Sequence, residues 1–204
     1  HTLAAVSKYA GMEFPECEAM LIFEFDGFTQ GDVRARLREA RRLCETSGLE
    51  VEVAETEAEA AEIWRARKSA SPALARLRPS SMHEDATVPT SKVAAMLKRI
   101  DEIARARDIL IATFGHAGDG NLHPVILFDE KDPDELRRAQ EAAADIFRAA
   151  LELGGTLTGE HGIGISKAGF FALEHGPGEL RVLKAIKAAL DPNGILNPGK
   201  IWGG

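Results

Sequence analysis

The first half of the chain alternates short apolar runs with amphipathic segments. The run AMLIFEFDG at 19–27 predicts a buried strand, and the alternating LEVEVA at 49–54 predicts a second strand. Between these runs, apolar residues recur at helical spacing over 32–47. A capping-box pattern that begins at Thr56 predicts a further helix, which ends near Lys68.

The second half repeats the alternation of strands and helices. We predict, in order, a helix over 90–107, strands over 108–115 and 121–129, a helix over 132–153, a short strand and glycine-rich loop over 155–164, and helices over 167–173 and 178–190. The two strands on either side of 116–120 are joined too tightly for a parallel crossover. We therefore predict one α+β domain over 1–204. It is an antiparallel sheet with helices packed on one face, like a duplicated ferredoxin fold.

Composition excludes several classes of function. The 204 residues are 45% hydrophobic and 28% charged, and the formal net charge is −7. Such an acidic chain lacks the basic surface that nucleic acid needs, and no apolar run reaches the roughly 18–20 residues that span a bilayer. Its cysteines, Cys17 and Cys44, lack metal-binding spacing and indicate reduced thiols. We expect a cytoplasmic protein, or one held at a membrane surface by a partner.

The stretch FGHAGDGNLHP at 114–124 carries the first candidate chemistry. Asp119-Gly120 is a preferred pair for a two-residue type I′ turn. That turn would place His116 directly opposite His123, with Cβ atoms about 4.5–5.5 Å apart on one face of the sheet. Two imidazoles so placed can bind one metal ion, but a catalytic zinc usually takes a third protein ligand.

The stretch LTGEHGIGISK at 157–167 offers that ligand. Adjacent residues on an extended segment point apart, so Glu160 and His161 are expected to divide the work. We assign Glu160 to the metal and His161 to general base chemistry, which a histidine performs near neutral pH. From the residues alone, a glycine-rich turn with no ligand stays an alternative.

Together, GHAGDGNLHP, GEHGIGISK and DPNGILNPGK make the chain resemble the C-terminal domain of FAD-linked oxidases. More narrowly, it is similar to the D-2-hydroxy-acid dehydrogenase branch, which includes glycolate oxidase FAD-binding subunits and D-lactate dehydrogenases. The resemblance implies that His116, His123 and Glu160 bind a divalent metal, usually zinc. It also implies that His161 is the base for the substrate hydroxyl and that Arg67, in a Trp-x-x-Arg pattern, contacts a substrate carboxylate.

The resemblance further implies oxidation of a small D-2-hydroxy acid to a 2-oxo acid, with hydride transfer to FAD. We expect Asn121 to touch the substrate and Asn197, in NPGK, to lie at the flavin side. Dicarboxylate-specific relatives carry Lys and Asn where this chain has His83 and Val125, which favours glycolate or D-lactate. The family's N-terminal FAD-binding domain is absent from this chain, so we expect it to be a partner, with an electron-acceptor subunit as another.

Two other readings stay open at this point. The chain could be a metal- or small-ligand-binding ferredoxin-like module without redox activity. Alternatively, it could be a structural domain in which the glycine loops are only turns. Bound metal distinguishes the structural domain from the other two, and the presence of a flavin-binding domain distinguishes the dehydrogenase from the metal-binding module.

Overall fold

The computed structural model describes residues 1–202 and has an α+β architecture. The helices are α1 (Thr2–Ala10), α2 (Gln30–Thr46), α3 (Glu57–Lys68), α4 (Ala70–Leu74), α5 (Val93–Ala106), α6 (Pro133–Glu152), α7 (Phe171–Glu174) and α8 (Pro177–Leu190). The strands are β1 (Ser80–His83), β2 (Ala86–Thr87), β3 (Leu110–His116) and β4 (Asn121–Phe128), and short 3-10 turns span Thr90–Lys92 and Ala168–Phe170. Among the described residues, no helix has both the length and the apolar character needed to cross a bilayer.

Strand β4 is the centre of an antiparallel sheet. It pairs with β3 on one side, and with β1 and β2 on the other. The β1 pair His83↔Val125 and the β2 pair Ala86↔Leu122 share one register, so β1 and β2 are two parts of one edge strand interrupted at 84–85. The predicted antiparallel sheet of an α+β fold is confirmed.

One face of the sheet packs against α5 and α6 to form the larger core. Alternate residues of β4 point to this face, as the period of two in a strand requires. The buried members from these elements are Leu122, Ile126 and Phe128 of β4, Met96, Ile100 and Ile103 of α5, and Ala139, Ala142, Ile146 and Phe147 of α6. The α6 helix begins where the Asp132 side chain accepts hydrogen bonds from two backbone N–H groups, with Pro133 in the first turn.

The opposite face is covered only in part. There, Val125 and Leu127 of β4 join buried residues of α1 and α4 in a smaller core. Two further residues of β4, Asn121 and His123, continue this same face toward the β3–β4 turn. The smaller core does not include Asn121 and His123. This face of the sheet is therefore polar near the β3–β4 turn and apolar at its other end.

The strands predicted at 19–27 and 49–54 are wrong. Both segments lack strand pairing, and the intervening α2 has no buried residue. Leu21 and Phe23 are correspondingly exposed. An apolar run becomes a strand only where a neighbouring strand completes its backbone hydrogen bonds, and the sheet described here offers these segments none. The duplicated half of the predicted layout is therefore not part of this sheet.

Candidate metal centre and active site

The β3–β4 turn differs from the predicted two-residue turn. The structure pairs Phe114 with His123 and His116 with Asn121, so residues 117–120 form a four-residue turn. The predicted direct opposition of His116 and His123 is therefore wrong.

Contacts with the neighbouring strand explain the longer turn. Gly120 lies against the residues after β2, where its carbonyl accepts a hydrogen bond from the N–H of Val88 at 3.0 Å. Gly120 has φ +71°, and a Cβ there would collide with the carbonyl oxygen of Val88. This pairing places Gly120 beside the edge strand instead of at the tip of the turn.

The shift in register keeps both imidazoles together. Because side chains alternate with a period of two, a shift of two residues leaves His116 and His123 on the same face as diagonal neighbours. Their ring centroids lie 5.4 Å apart, with the rings nearly perpendicular.

The carboxylate of Glu160 completes a group with these two imidazoles. Its Oε1 lies 3.1 Å from Nε2 of His123 and 3.8 Å from Nε2 of His116. One ligand atom from each residue lies within 4.8 Å of the other two. The Asn121 amide donates a hydrogen bond to the same Oε1 at 3.1 Å. Two imidazole nitrogens and one carboxylate oxygen are a common donor set of catalytic zinc sites.

Burial differs among the three candidate ligands. His123 is 6% exposed, whereas the side chains of His116 and Glu160 are about half exposed. Burial lowers the pKa of His123, although the nearby Glu160 charge partly opposes this effect. The neutral imidazole, which is the metal-binding form, is thereby favoured.

A cleft of about 300 Å³ opens beside the cluster. Its lining residues are Thr87, His116, Asp119, Asn121, Gly159 and Glu160. The cleft lies at the lower end of the size range of small-molecule sites, which is about 300–1,000 Å³. The buried His123 therefore forms the inner side of the cluster, while His116 and Glu160 are open to a small ligand.

Glu160 and His161 approach His123 from different directions. The Glu160 carboxylate meets the ring edge at Nε2, whereas the His161 ring stacks on the ring face, with centroids 5.2 Å apart and planes 11° apart. His161 is exposed. The geometry thus separates the two side chains, although residues 159–161 form a bend and not the extended segment that the sequence predicts.

Asp85 is a site residue that the sequence reasoning missed. Its side chain is 0% exposed, and its Oδ2 accepts hydrogen bonds from the Thr158 hydroxyl (2.5 Å) and from the N–H groups of Gly159 (3.0 Å), Glu160 (3.1 Å) and His161 (2.8 Å). Burial alone raises the pKa of Asp85, but these hydrogen bonds outweigh it and hold the pKa well below its usual range. A charged carboxylate therefore organises the loop that carries Glu160 and His161. The only sequence signal was a lone aspartate inside MHEDATVP.

Neither Arg67 nor Asn197 belongs to the cluster of His116, His123 and Glu160, but Arg67 lies nearer to it. The Arg67 guanidinium lies 4.8 Å from the Phe114 ring centroid, and that ring lies 5.5 Å from His123. Arg67 is thus one aromatic ring away from the imidazoles. Asn197 is exposed in the C-terminal tail, which in the described part of the chain is fastened by hydrogen bonds to Lys187 and Gly164. Those contacts do not bring Asn197 to the cluster.

Comparisons with known proteins show the family of the chain. The family described as "FAD linked oxidases, C-terminal domain" matches residues 1–201. Glycolate oxidase subunit GlcD of Bacillus subtilis is 45% identical over 203 residues, which cover 98% of this chain and 43% of that protein. The subunit of the same name from Escherichia coli K12 is 38% identical (98% and 40% covered), and a D-lactate dehydrogenase of Anaerostipes hadrus is 33% identical (93% and 40% covered).

One solved structure supports the fold. The 4-ethylphenol oxidase from Gulosibacter chungangensis, in an isoeugenol complex, matches with a TM-score of 0.52 and 21% identity over 83% of this chain and 38% of that one. Such a distant likeness concerns the fold alone. The chain spans 40–43% of the length of the three curated relatives named above. On the match over residues 1–201 and on these identities, the chain belongs to the family of C-terminal domains of FAD-linked oxidases.

Proposed function

We propose that this chain is the substrate- and metal-binding domain of a flavin-dependent dehydrogenase or oxidase. Its substrate is a small D-2-hydroxy acid, such as glycolate or D-lactate, which is oxidised to the 2-oxo acid. The proposal rests on the close approach of Glu160 to His116 and His123. The two histidines belong to the β3–β4 hairpin, whereas Glu160 belongs to a separate loop. Relatives described as glycolate oxidase subunits and a D-lactate dehydrogenase support the choice of substrate class.

The three side chains fit a divalent metal, with zinc as the best match to two imidazoles and a carboxylate. His123 holds the inner position in its neutral form, and the exposed His116 and Glu160 leave room on the cleft side. A bound metal would polarise the substrate hydroxyl and lower its pKa.

His161 is proposed to take the hydroxyl proton. Its exposed imidazole stacks on the candidate ligand His123, and His161 directly follows the candidate ligand Glu160 in the sequence. The imidazole therefore borders the place where a substrate would lie. Its backbone N–H is fixed by the Asp85 carboxylate at 2.8 Å. This anchoring limits the positions that the imidazole can take beside the substrate.

Asn121 and Arg67 are proposed to orient the substrate. Asn121 lines the cleft, and its amide is held by the Thr87 hydroxyl at 3.1 Å while it donates to Glu160. Arg67 supplies a permanent positive charge for the substrate carboxylate.

FAD, when bound, supplies the hydride acceptor. We propose that an N-terminal domain outside this chain holds most of it, because the chain spans only about two fifths of the relatives' length. Asn197, in the exposed tail, is proposed to face that domain. An electron-acceptor subunit is a further proposed partner, since the GlcD relatives are described as subunits of glycolate oxidase. A cytoplasmic location stays a prediction.

The variant His161→Gln tests the assignment of the base. In the intact protein, substrate should reduce the flavin about 10²–10⁴-fold more slowly, while the zinc content stays at the wild-type level. Rapid-mixing absorbance of the flavin measures the rate, and His175→Gln is the matched control outside the cluster. Unchanged flavin reduction would reject His161 as the base, and loss of zinc with retained chemistry would mean that the roles of Glu160 and His161 are reversed. Zinc binding with no flavin in the intact protein would favour a metal-binding module without redox activity.

A further inference from the structure

Two polar atoms beside the metal cluster are buried and lack a hydrogen-bond partner among the described residues. They are Oδ1 of Asp85 and Nδ1 of His123. Both residues are at least nine-tenths buried. An unpaired buried polar group costs about 1–3 kcal/mol, so two such atoms in one place call for a physical explanation.

The sheet register places these two residues opposite each other. The pairs on either side of the 84–85 interruption are His83↔Val125 and Ala86↔Leu122, so the same register sets Asp85 across from His123. One ligand atom from each of Asp85, His123 and His161 also lies within 4.8 Å of the other two. The carboxylate and the imidazole therefore lie close together on this face of the sheet, with no hydrogen bond between them in this structure.

We propose that Asp85 is a positioning residue for the metal centre. A small rotation of either side chain brings Oδ1 within reach of the Nδ1–H of His123, and the hydrogen bond then formed selects the tautomer that leaves Nε2 free toward Glu160 and a metal ion. Histidine ligands commonly donate their second ring N–H to a carboxylate, which fixes both tautomer and ring orientation. The inference rests on the metal site proposed above.

The other oxygen of Asp85 extends this role to a second ligand. Oδ2 accepts the backbone N–H of Glu160 and of its two neighbours. One buried carboxylate thus holds the His123 ring with one oxygen and the Glu160 loop with the other. This arrangement couples His123 and Glu160, whose Nε2 and Oε1 atoms lie 3.1 Å apart.

The variant Asp85→Asn tests the proposal through metal affinity. An amide N–H facing His123 Nδ1 would favour the opposite tautomer, with the proton on Nε2. The zinc affinity of the metal-free intact protein, measured by competition with a chelator, should fall about 10–100-fold. The neighbouring buried carboxylate is the matched control, and Glu84→Gln should keep the wild-type zinc affinity. A folded Asp85→Asn protein that binds zinc as tightly as wild type would overturn the proposal.

A second measurement needs neither the variant nor zinc. In metal-free wild-type protein labelled with ¹⁵N-histidine, the ring nitrogen shifts of His123 should report a proton on Nδ1 and none on Nε2. The variant Thr158→Val, which removes one hydrogen bond to Oδ2, should leave this tautomer unchanged. A proton on Nε2 would refute the role of Asp85 even if zinc binds. Failure of the wild-type protein to bind zinc would instead refute the proposed metal site, while the shifts still judge the Asp85–His123 bond.

Discussion

The ammonium group of Lys167 donates a hydrogen bond to the main-chain carbonyl of Asp85 at 3.0 Å, inside the protein. It donates a second hydrogen bond to the carbonyl of Leu157 at 2.9 Å, and the side chain is only 3% exposed. Burial lowers the pKa of Lys167, while the charges of Asp85 and Glu84 oppose that shift. One lysine therefore joins the edge strand to the start of the loop that carries the candidate metal ligand and base.

Replacing this lysine should loosen the loop. The variant Lys167→Met keeps the length of the side chain but leaves two buried carbonyls without their donor, so the free energy of unfolding should fall by about 2 kcal/mol. Urea unfolding followed by circular dichroism measures the change. The variant Lys98→Met, at an exposed position of α5, is the control and should leave the stability unchanged. Equal stability of the two variants would show that the Lys167 hydrogen bonds contribute nothing net.

The loop approaches the sheet so closely at Gly159 that no side chain fits there. A Cβ at this position would collide with the Thr87 hydroxyl and lie 2.9 Å from the side-chain amide of Asn121. The variant Gly159→Ala should therefore push Glu160 away from the imidazoles and weaken zinc binding by at least about tenfold. Isothermal titration of the metal-free protein with zinc gives the affinity.

The turn between β3 and β4 provides a matched control for Gly159. A Cβ added at Gly118 would meet nothing within 4 Å. Gly118→Ala should therefore bind zinc like wild type. If Gly159→Ala also binds zinc like wild type, the close packing of the loop does not position Glu160.

Buried Glu84 should make stability depend on pH. Burial raises its pKa from 4.5 to about 7, although Lys167 lowers it in part and Asp85 raises it further. Because the folded-state pKa is the higher one, the stabilisation by the bound proton is complete below about pH 4.5 and is lost as the pH rises through about 7. Relative to Glu84→Gln, the wild type should lose roughly 3 kcal/mol of unfolding free energy over this interval.

Urea unfolding of both proteins in chelator-containing buffers at several pH values measures this difference. The chelator removes any contribution from bound metal. The difference in unfolding free energy between the two proteins should change steadily between mildly acidic and neutral pH. Parallel pH profiles would mean that Glu84 titrates in the folded protein as it does in the unfolded chain.

From the sequence it could be predicted that His116 and His123 lie on the same face of the hairpin, but the conformation of the turn between them could not. His116 and His123 are seven residues apart around a turn, and any register shifted by two residues keeps both on one face. The turn itself was predicted wrongly from the local preference of Asp119-Gly120. The hydrogen bond between Gly120 and Val88 decides its conformation, and Val88 follows β2, which is distant in the sequence.

Contacts between distant segments also explain why the residues that support the site were missed and why the N-terminal strands were predicted wrongly. Asp85 and Lys167 act through contacts with segments far along the chain, which local patterns do not reveal. At 19–27 and 49–54, apolar patterning indicated a tendency toward strand but could not supply a pairing partner. By contrast, the long helix α6 was predicted well because its cap, its amphipathic pattern and its terminal glycines are all local.

Zinc binding by the variant Glu160→Gln tests the central claim most directly. Asp119→Asn is the matched control, since Asp119 lines the same cleft but does not belong to the cluster. Zinc content and affinity, determined by elemental analysis and chelator competition on the intact protein, should show one tightly bound zinc per chain in wild type and in Asp119→Asn. The account predicts that Glu160→Gln loses this zinc while it keeps its fold. A wild-type protein without zinc, or a Glu160→Gln protein that binds zinc as tightly as wild type, would contradict it.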